Sequence, residues 1–109
     1  MLNVFEVMNI LELSAGDIVY SLAGRDKDKV FIVLEVLDEN FAHLADGNLR
    51  RVQKPKKKKI KHLKKTIITA ELIKRKLAQG IKVTNTDLRR ILAELENEQE
   101  ETIWQKTEF

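Results

Sequence analysis

Cysteine is absent from the chain, which removes a disulfide framework and any thiolate metal site. No apolar run is long enough for a secretory h-region or a membrane span, so no membrane association is expected and the cytoplasm is the expected compartment. The two histidines, His43 and His62, do not form a His-x-x-x-His pair. His43 sits on a short alternating segment and reads as a partly exposed structural side chain rather than a base or ligand. The four glycines build no phosphate cradle, and no Ser/His/Asp set can be assembled. The chain is therefore expected not to be an enzyme, and to need no metal and no cofactor. Aromatics are scarce as well. Tyr20, Phe31 and Phe41 are the candidate base-stacking platforms, and each lies in an apolar segment that reads as core.

What the chain has in abundance is charge, laid down in blocks. The net charge of +3 conceals a stretch over residues 49–66 with ten Lys or Arg and no acid, preceded by 48 residues that carry nine acids against three bases. Residues 67–90 are again basic and residues 91–109 acidic. A lysine run alone can be a solvated, disordered segment, but ten cations in eighteen residues are also the footprint of a polyanion-binding surface.

The length, 109 residues, allows one small domain with an appendage. Met1 to Ala15 shows no clean period and is taken as an N-terminal extension, a short helix or strand over one face of the core; Met8 offers a second possible start. From Gly16 the pattern becomes one of strands and turns. Asp17 to Leu22 is a strand, Ala23 to Lys29 a polar turn, Val30 to Leu37 a strand, Asp38-Glu39-Asn40 a turn and Phe41 to Ala45 a strand. Asp46-Gly47-Asn48 is a tight turn leading to a fourth strand, Leu49 to Gln53, ended by Pro55. The turn acids Asp26, Asp28, Asp38 and Glu39 read as side chains that help their own turns bond. Four strands this short cannot bury two faces as an open sheet, so a small bent barrel is expected, with Val19, Val30, Ile32, Leu34, Val36 and Leu44 in its core. Ile60 and Leu63 punctuate the lysine tract and argue for a last edge strand or turn rather than a free tail.

Past Thr66 the apolar period becomes helical. Thr69 is placed to cap a helix that runs to about Gln79 and stops at Gly80. Thr84-Asn85-Thr86-Asp87 fits a capping box, and Leu88, Ile91, Leu92 and Leu95 make one apolar stripe. That stripe either folds back on the first helix (Leu72, Ile73, Leu77) or on the barrel, or it docks a protein partner. Beyond Glu96 the acidic chain is expected to fray, interrupted by Ile103 and Trp104, and its Glu94 to Glu101 end could face a basic partner or cover the lysine arm.

The segment from Gly16 to Leu34 resembles a KOW motif: a strand, a glycine-centred loop with basic residues and a second strand, with Gly24 at the signature glycine. Asp46-Gly47, Arg50-Arg51, Ile60-Lys61-His62-Leu63 and Thr66 are similar to the KOW-type large-subunit ribosomal proteins of archaea and eukaryotes, and to a bacterial branch of small KOW RNA-binding proteins. The resemblance covers about half the chain, residues 16–66. Where many KOW loops have glycine between the two lysines, this chain has Asp28. The resemblance implies a mainly β fold with α: a small SH3-like KOW barrel with a basic arm over 16–66, followed by a C-terminal helical hairpin within the extension 67–109.

These readings converge on a non-catalytic RNA-binding protein whose partner is structured RNA, ribosomal RNA foremost. The expected contacts are Gly24, Arg25, Lys27 and Lys29 in the loop, and Arg50, Arg51, Lys54, Lys56, Lys57, Lys58, Lys59, Lys61, His62, Lys64 and Lys65 in the arm. Glycine lets the loop approach a ligand closely, and a fully extended Arg50–Lys65 arm would follow a backbone for about 50 Å. The alternative is a protein-interaction module of the NusG kind, in which the barrel contacts a polymerase or ribosomal protein and the arm is auxiliary.

Overall fold

The computed structural model describes residues 13–107, with side chains to Asn97. Most of the Met1–Ala15 reading, the start at Met8 and the side chains of Ile103 and Trp104 thus fall outside the described residues.

Five antiparallel strands form one sheet in the order β4-β3-β2-β1-β5. The first three lie where the alternation placed them: β1 (Asp17–Ser21), β2 (Val30–Val36) and β3 (Phe41–Ala45). β4 (Lys56–Lys59) and β5 (Leu63–Thr69) are the two edges, joined by a 3-10 turn over Ile60–His62. By its hydrogen bonds the sheet is open.

The expected fourth strand, Leu49–Gln53, does not form. Asp46 Oδ1 accepts hydrogen bonds from the Asn48 and Arg50 amides (2.9 Å each), which winds the chain into a turn instead. Farther along, the Val52 amide donates to Asn85 Oδ1 (2.8 Å), and Asn85 Nδ2 donates to Gln53 Oε1 (2.8 Å). These partners lie more than thirty residues away in sequence. Leu49 is 67 % exposed, so no alternating apolar face was available to hold a strand there. Pro55 precedes the fourth strand rather than ending it, a position where its missing N–H costs no ladder bond on an edge. Four consecutive lysines are tolerated in β4 because an edge strand keeps one side in water, and cations there also discourage pairing with another chain.

Nor does the sheet avoid burying two faces. β2 reads Val-Phe-Ile-Val-Leu, a continuous apolar run, and both of its faces are covered. Val19, Phe31, Val33, Ala42 and Leu44 point to one side, where Ile60, Leu63 and Leu13 close over them. Ile18, Ile32 and Ala45 point to the other, where the helices lie. Of the expected core, Val19, Ile32 and Leu44 are fully buried, while Val30, Leu34 and Val36 pack at its margins. The strand count points to a closed barrel as the way to bury these residues; instead the sheet stays open by its hydrogen bonds, and the C-terminal helices cover its second face.

α1 (Glu71–Ala78) begins one residue later than expected, because Thr69 is still in β5, paired with Asp17, and Ala70 takes the N-cap position without a side-chain bond. α2 (Asn85–Thr107) continues beyond Glu96, where fraying was expected. Its capping box is formed: the Asp87 amide donates to Thr84 Oγ1 (3.1 Å) and the Thr84 amide to Asp87 Oδ2 (3.0 Å). Val83 before the box and Leu88 inside the helix share one apolar cluster, fixing the angle at which the chain enters α2. The stripe Leu88, Ile91, Leu92, Leu95 lies against the sheet and Ile73, so it faces its own chain. From α1, only Ile73 of Leu72, Ile73 and Leu77 is buried. Among the described residues, no helix is long and apolar enough to cross a membrane.

Candidate nucleic-acid interface

The Gly24 loop is tightly built. The Ser21 amide donates to the Lys29 carbonyl (3.0 Å) and the Asp28 amide to the Ser21 carbonyl (2.8 Å), so the loop closes on its own stem. Gly24 has φ +80° and Asp28 has φ +69°. Asp28 therefore holds a left-handed conformation natural to glycine. Arg25, Lys27 and Lys29 are all exposed.

Two contacts fasten the basic tract to this loop. Asp26 does not serve its own turn: its side chain is 8 % exposed, and Oδ2 accepts a hydrogen bond from Arg50 Nη2 (3.1 Å), clasping the 46–55 loop to the Gly24 loop. Lys58 in β4 donates from Nζ to the Ala23 carbonyl (2.8 Å). On the other side, the Leu22 amide donates to the His62 carbonyl (2.8 Å), placing the 3-10 turn beside the same loop. Residues from three separate stretches of sequence thus meet around Gly24.

The tract does not run as an extended arm. It folds into β4, the 3-10 turn and the start of β5, so its cations are dealt to different faces. In the β3–β4 register, Lys56 and Lys58 pair with the buried Leu44 and Ala42, and are half-buried. Lys57 and Lys59 pair with His43 and Phe41 on the opposite face, and are exposed. A cleft of about 550 Å³ opens between Leu49, Arg50, Arg51, Lys54, Pro55, Lys56 and Lys57, lined by five cations. Farther on, Lys61 and Lys64 are exposed and His62 is half-buried; Lys64 Nζ lies 5.8 Å from the Tyr20 ring centre.

The structure thus divides the expected contacts. Arg25, Lys27, Lys29, Arg51, Lys54, Lys57, Lys59, Lys61 and Lys64 are exposed, Lys57 and Lys64 with their ammonium groups over the Phe41 and Tyr20 rings. Arg50 and Lys58 are spent on joining loops. Lys65 lies 3.7 Å from Asp17 Oδ2 and is largely covered. Sequence reasoning missed Asp17 and Lys74: the Asp17 carboxylate is fully buried, accepts from the Ser14 amide (2.7 Å) and lies 3.6 Å from Lys74 Nζ in α1. It also missed Asp26 as the anchor of Arg50. Nothing local in the sequence marks these acids, since their cationic partners lie twenty-four or more positions away.

His43 is 31 % exposed, with Nδ1 3.7 Å from Glu35 Oε2, an arrangement suited to a surface pair. Compared with known proteins, the chain matches no protein-family model and no curated protein.

Proposed function

We propose that this chain is a non-catalytic RNA-binding protein of the KOW kind, whose sheet is an SH3-like barrel with helices added on one face, and that it holds structured RNA, ribosomal RNA foremost. The observation that carries the reading is the fastening of the basic tract to the Gly24 loop through Asp26–Arg50 and Lys58–Ala23. It turns a run of charges into a surface with a fixed shape. Buried acids hold a few cations inward, and the remaining cations face water, where neutralising phosphates releases condensed counterions. The Lys58 contact also supports the barrel, because edge strand β4 must curl across one face of the sheet for Lys58 to reach the end of β1.

Phosphate contacts of this type bind backbone and shape rather than sequence, which suits a folded RNA. The test is affinity for a folded ribosomal RNA fragment across a salt series. If about five of the exposed cations engage phosphates, log affinity falls against log salt with a slope of roughly −4. Lys57→Gln and Lys59→Gln each reduce that slope by about one while leaving the fold intact. A slope near zero, or a partner protein retained after nuclease treatment and after both substitutions, would overturn the reading in favour of a NusG-like protein contact.

A further inference from the structure

β3 runs out from beneath the helices. Ala45 is fully buried under them, whereas His43 and Phe41, two and four positions back on the same face, belong to neither apolar cluster and are only half-buried. Their cross-strand partners on edge strand β4 are Lys57 and Lys59, both exposed, and on β2 Glu35 lies opposite His43. Lys57 Nζ sits 4.6 Å from the centre of the Phe41 ring. Phe31, by contrast, is 1 % exposed and is core.

This half-buried aromatic at a sheet margin belongs to neither apolar cluster, and the contact on its ring is the Lys57 ammonium rather than an apolar side chain of the core. Its ring would gain more from a further flat partner than it has from its present neighbours. Lys57 also lines the five-cation cleft with Arg51, Lys54 and Lys56, so a place for phosphate adjoins the ring. Glu35 supplies acceptor oxygens on the same face, of the kind that pair with the amino edge of a base.

We infer that Phe41, flanked by Lys57 and Lys59, is a stacking platform for one unpaired RNA base, with the phosphate of that nucleotide held in the adjoining cleft by Arg51, Lys54 and Lys57. The inference rests on the RNA-binding reading and sharpens it: the RNA recognised has an unpaired nucleotide, in a bulge, a loop or an end. A base inside an intact duplex has no free face to offer the ring.

The experiment compares binding of a short single-stranded RNA of mixed sequence, and of its blunt duplex, by the full chain and its variants. Phe41→Leu weakens single-strand binding about tenfold or more, the scale of one base–aromatic stack, and changes duplex binding by less than about twofold. Phe41→Tyr retains single-strand affinity. Ultraviolet crosslinking of the single strand, mapped by peptide mass spectrometry, places an adduct on Phe41, an outcome that does not depend on a variant folding. Equal losses for both RNAs in Phe41→Leu, or crosslinks that avoid Phe41, overturn the platform while duplex binding keeps the RNA-binding reading intact. If the wild type binds neither of these RNAs, the platform is overturned, while the RNA-binding reading is decided separately by affinity for the folded ribosomal RNA fragment.

Discussion

Arg50 and Arg51 are adjacent, chemically identical and assigned by sequence to the same task, yet the structure gives them different work, and substitution of each by methionine separates the two. Arg50 is the partner of a carboxylate whose side chain is 8 % exposed. Removing one member of a fully buried pair typically costs 3–5 kcal/mol, because the remaining charge is left desolvated and unpaired. Arg50 itself is 34 % exposed, so water partly screens the pair, and a loss of about 2 kcal/mol is expected for Arg50→Met. In a chain of this size, that lowers Tm by roughly 10 °C. Replacing the acid as well, with Asp26→Asn, removes the orphaned charge and recovers about half the loss. Arg51 is exposed and makes no comparable contact, so Arg51→Met changes stability by less than about 0.5 kcal/mol and instead weakens RNA binding several-fold. Urea denaturation read by circular dichroism, alongside RNA affinity, measures both effects. Equal stability of the two single variants would refute the assignment of Asp26–Arg50 as the clasp between the loops.

Two further substitutions probe how the helical layer is attached. Gly47 has φ +80°, and a Cβ there would overlap the carbonyl oxygen of Asn85 at the start of α2, so Gly47→Ala is expected to destabilise by about 2 kcal/mol or more and to lift α2 from the sheet, visible as lost amide protection in Leu88 and its neighbours. Asp87 has its pKa lowered, first by the hydrogen bond from Lys76 and then by the Thr84 amide. A depressed folded pKa means that the native state binds fewer protons than the unfolded chain. The contribution of Asp87 is therefore present above the ordinary carboxylate value of 3.8 and is lost as pH falls through the lowered folded value. Asp87→Ala costs about 1 kcal/mol at neutral pH, the value of a helix cap, and the gap to wild type narrows in urea titrations taken below about pH 4. A gap independent of pH would remove the ionised cap from the account.

The positions of β1 to β3, the capping box of α2 and its apolar stripe were legible in the sequence because each is decided locally. Alternation, turn residues and the reach of a Thr or Asp side chain all act over a few positions. What depended on the fold was the use made of individual charges. Asp26, Asp28, Asp38 and Asp46 look alike as turn acids, and Asp38 and Asp46 do bond their own turns. Asp26 turns inward because Arg50, twenty-four residues on, is carried to it by the β2–β3 hairpin and the loop that follows. Leu49–Gln53 has strand-like residues, but the amide of Val52 and the side chain of Gln53 found better partners in Asn85. The lysine tract announced its charge and nothing of its geometry: pairing with β3 sends Lys57 and Lys59 to one face and Lys56 and Lys58 to the other. Composition and short-range pattern thus determined that the chain would make strands, a cationic surface and an amphipathic helix. Only the tertiary structure decided which cations stabilise the fold and which remain for a ligand, because burial and pairing of a charge depend on residues that meet through the fold and not along the chain.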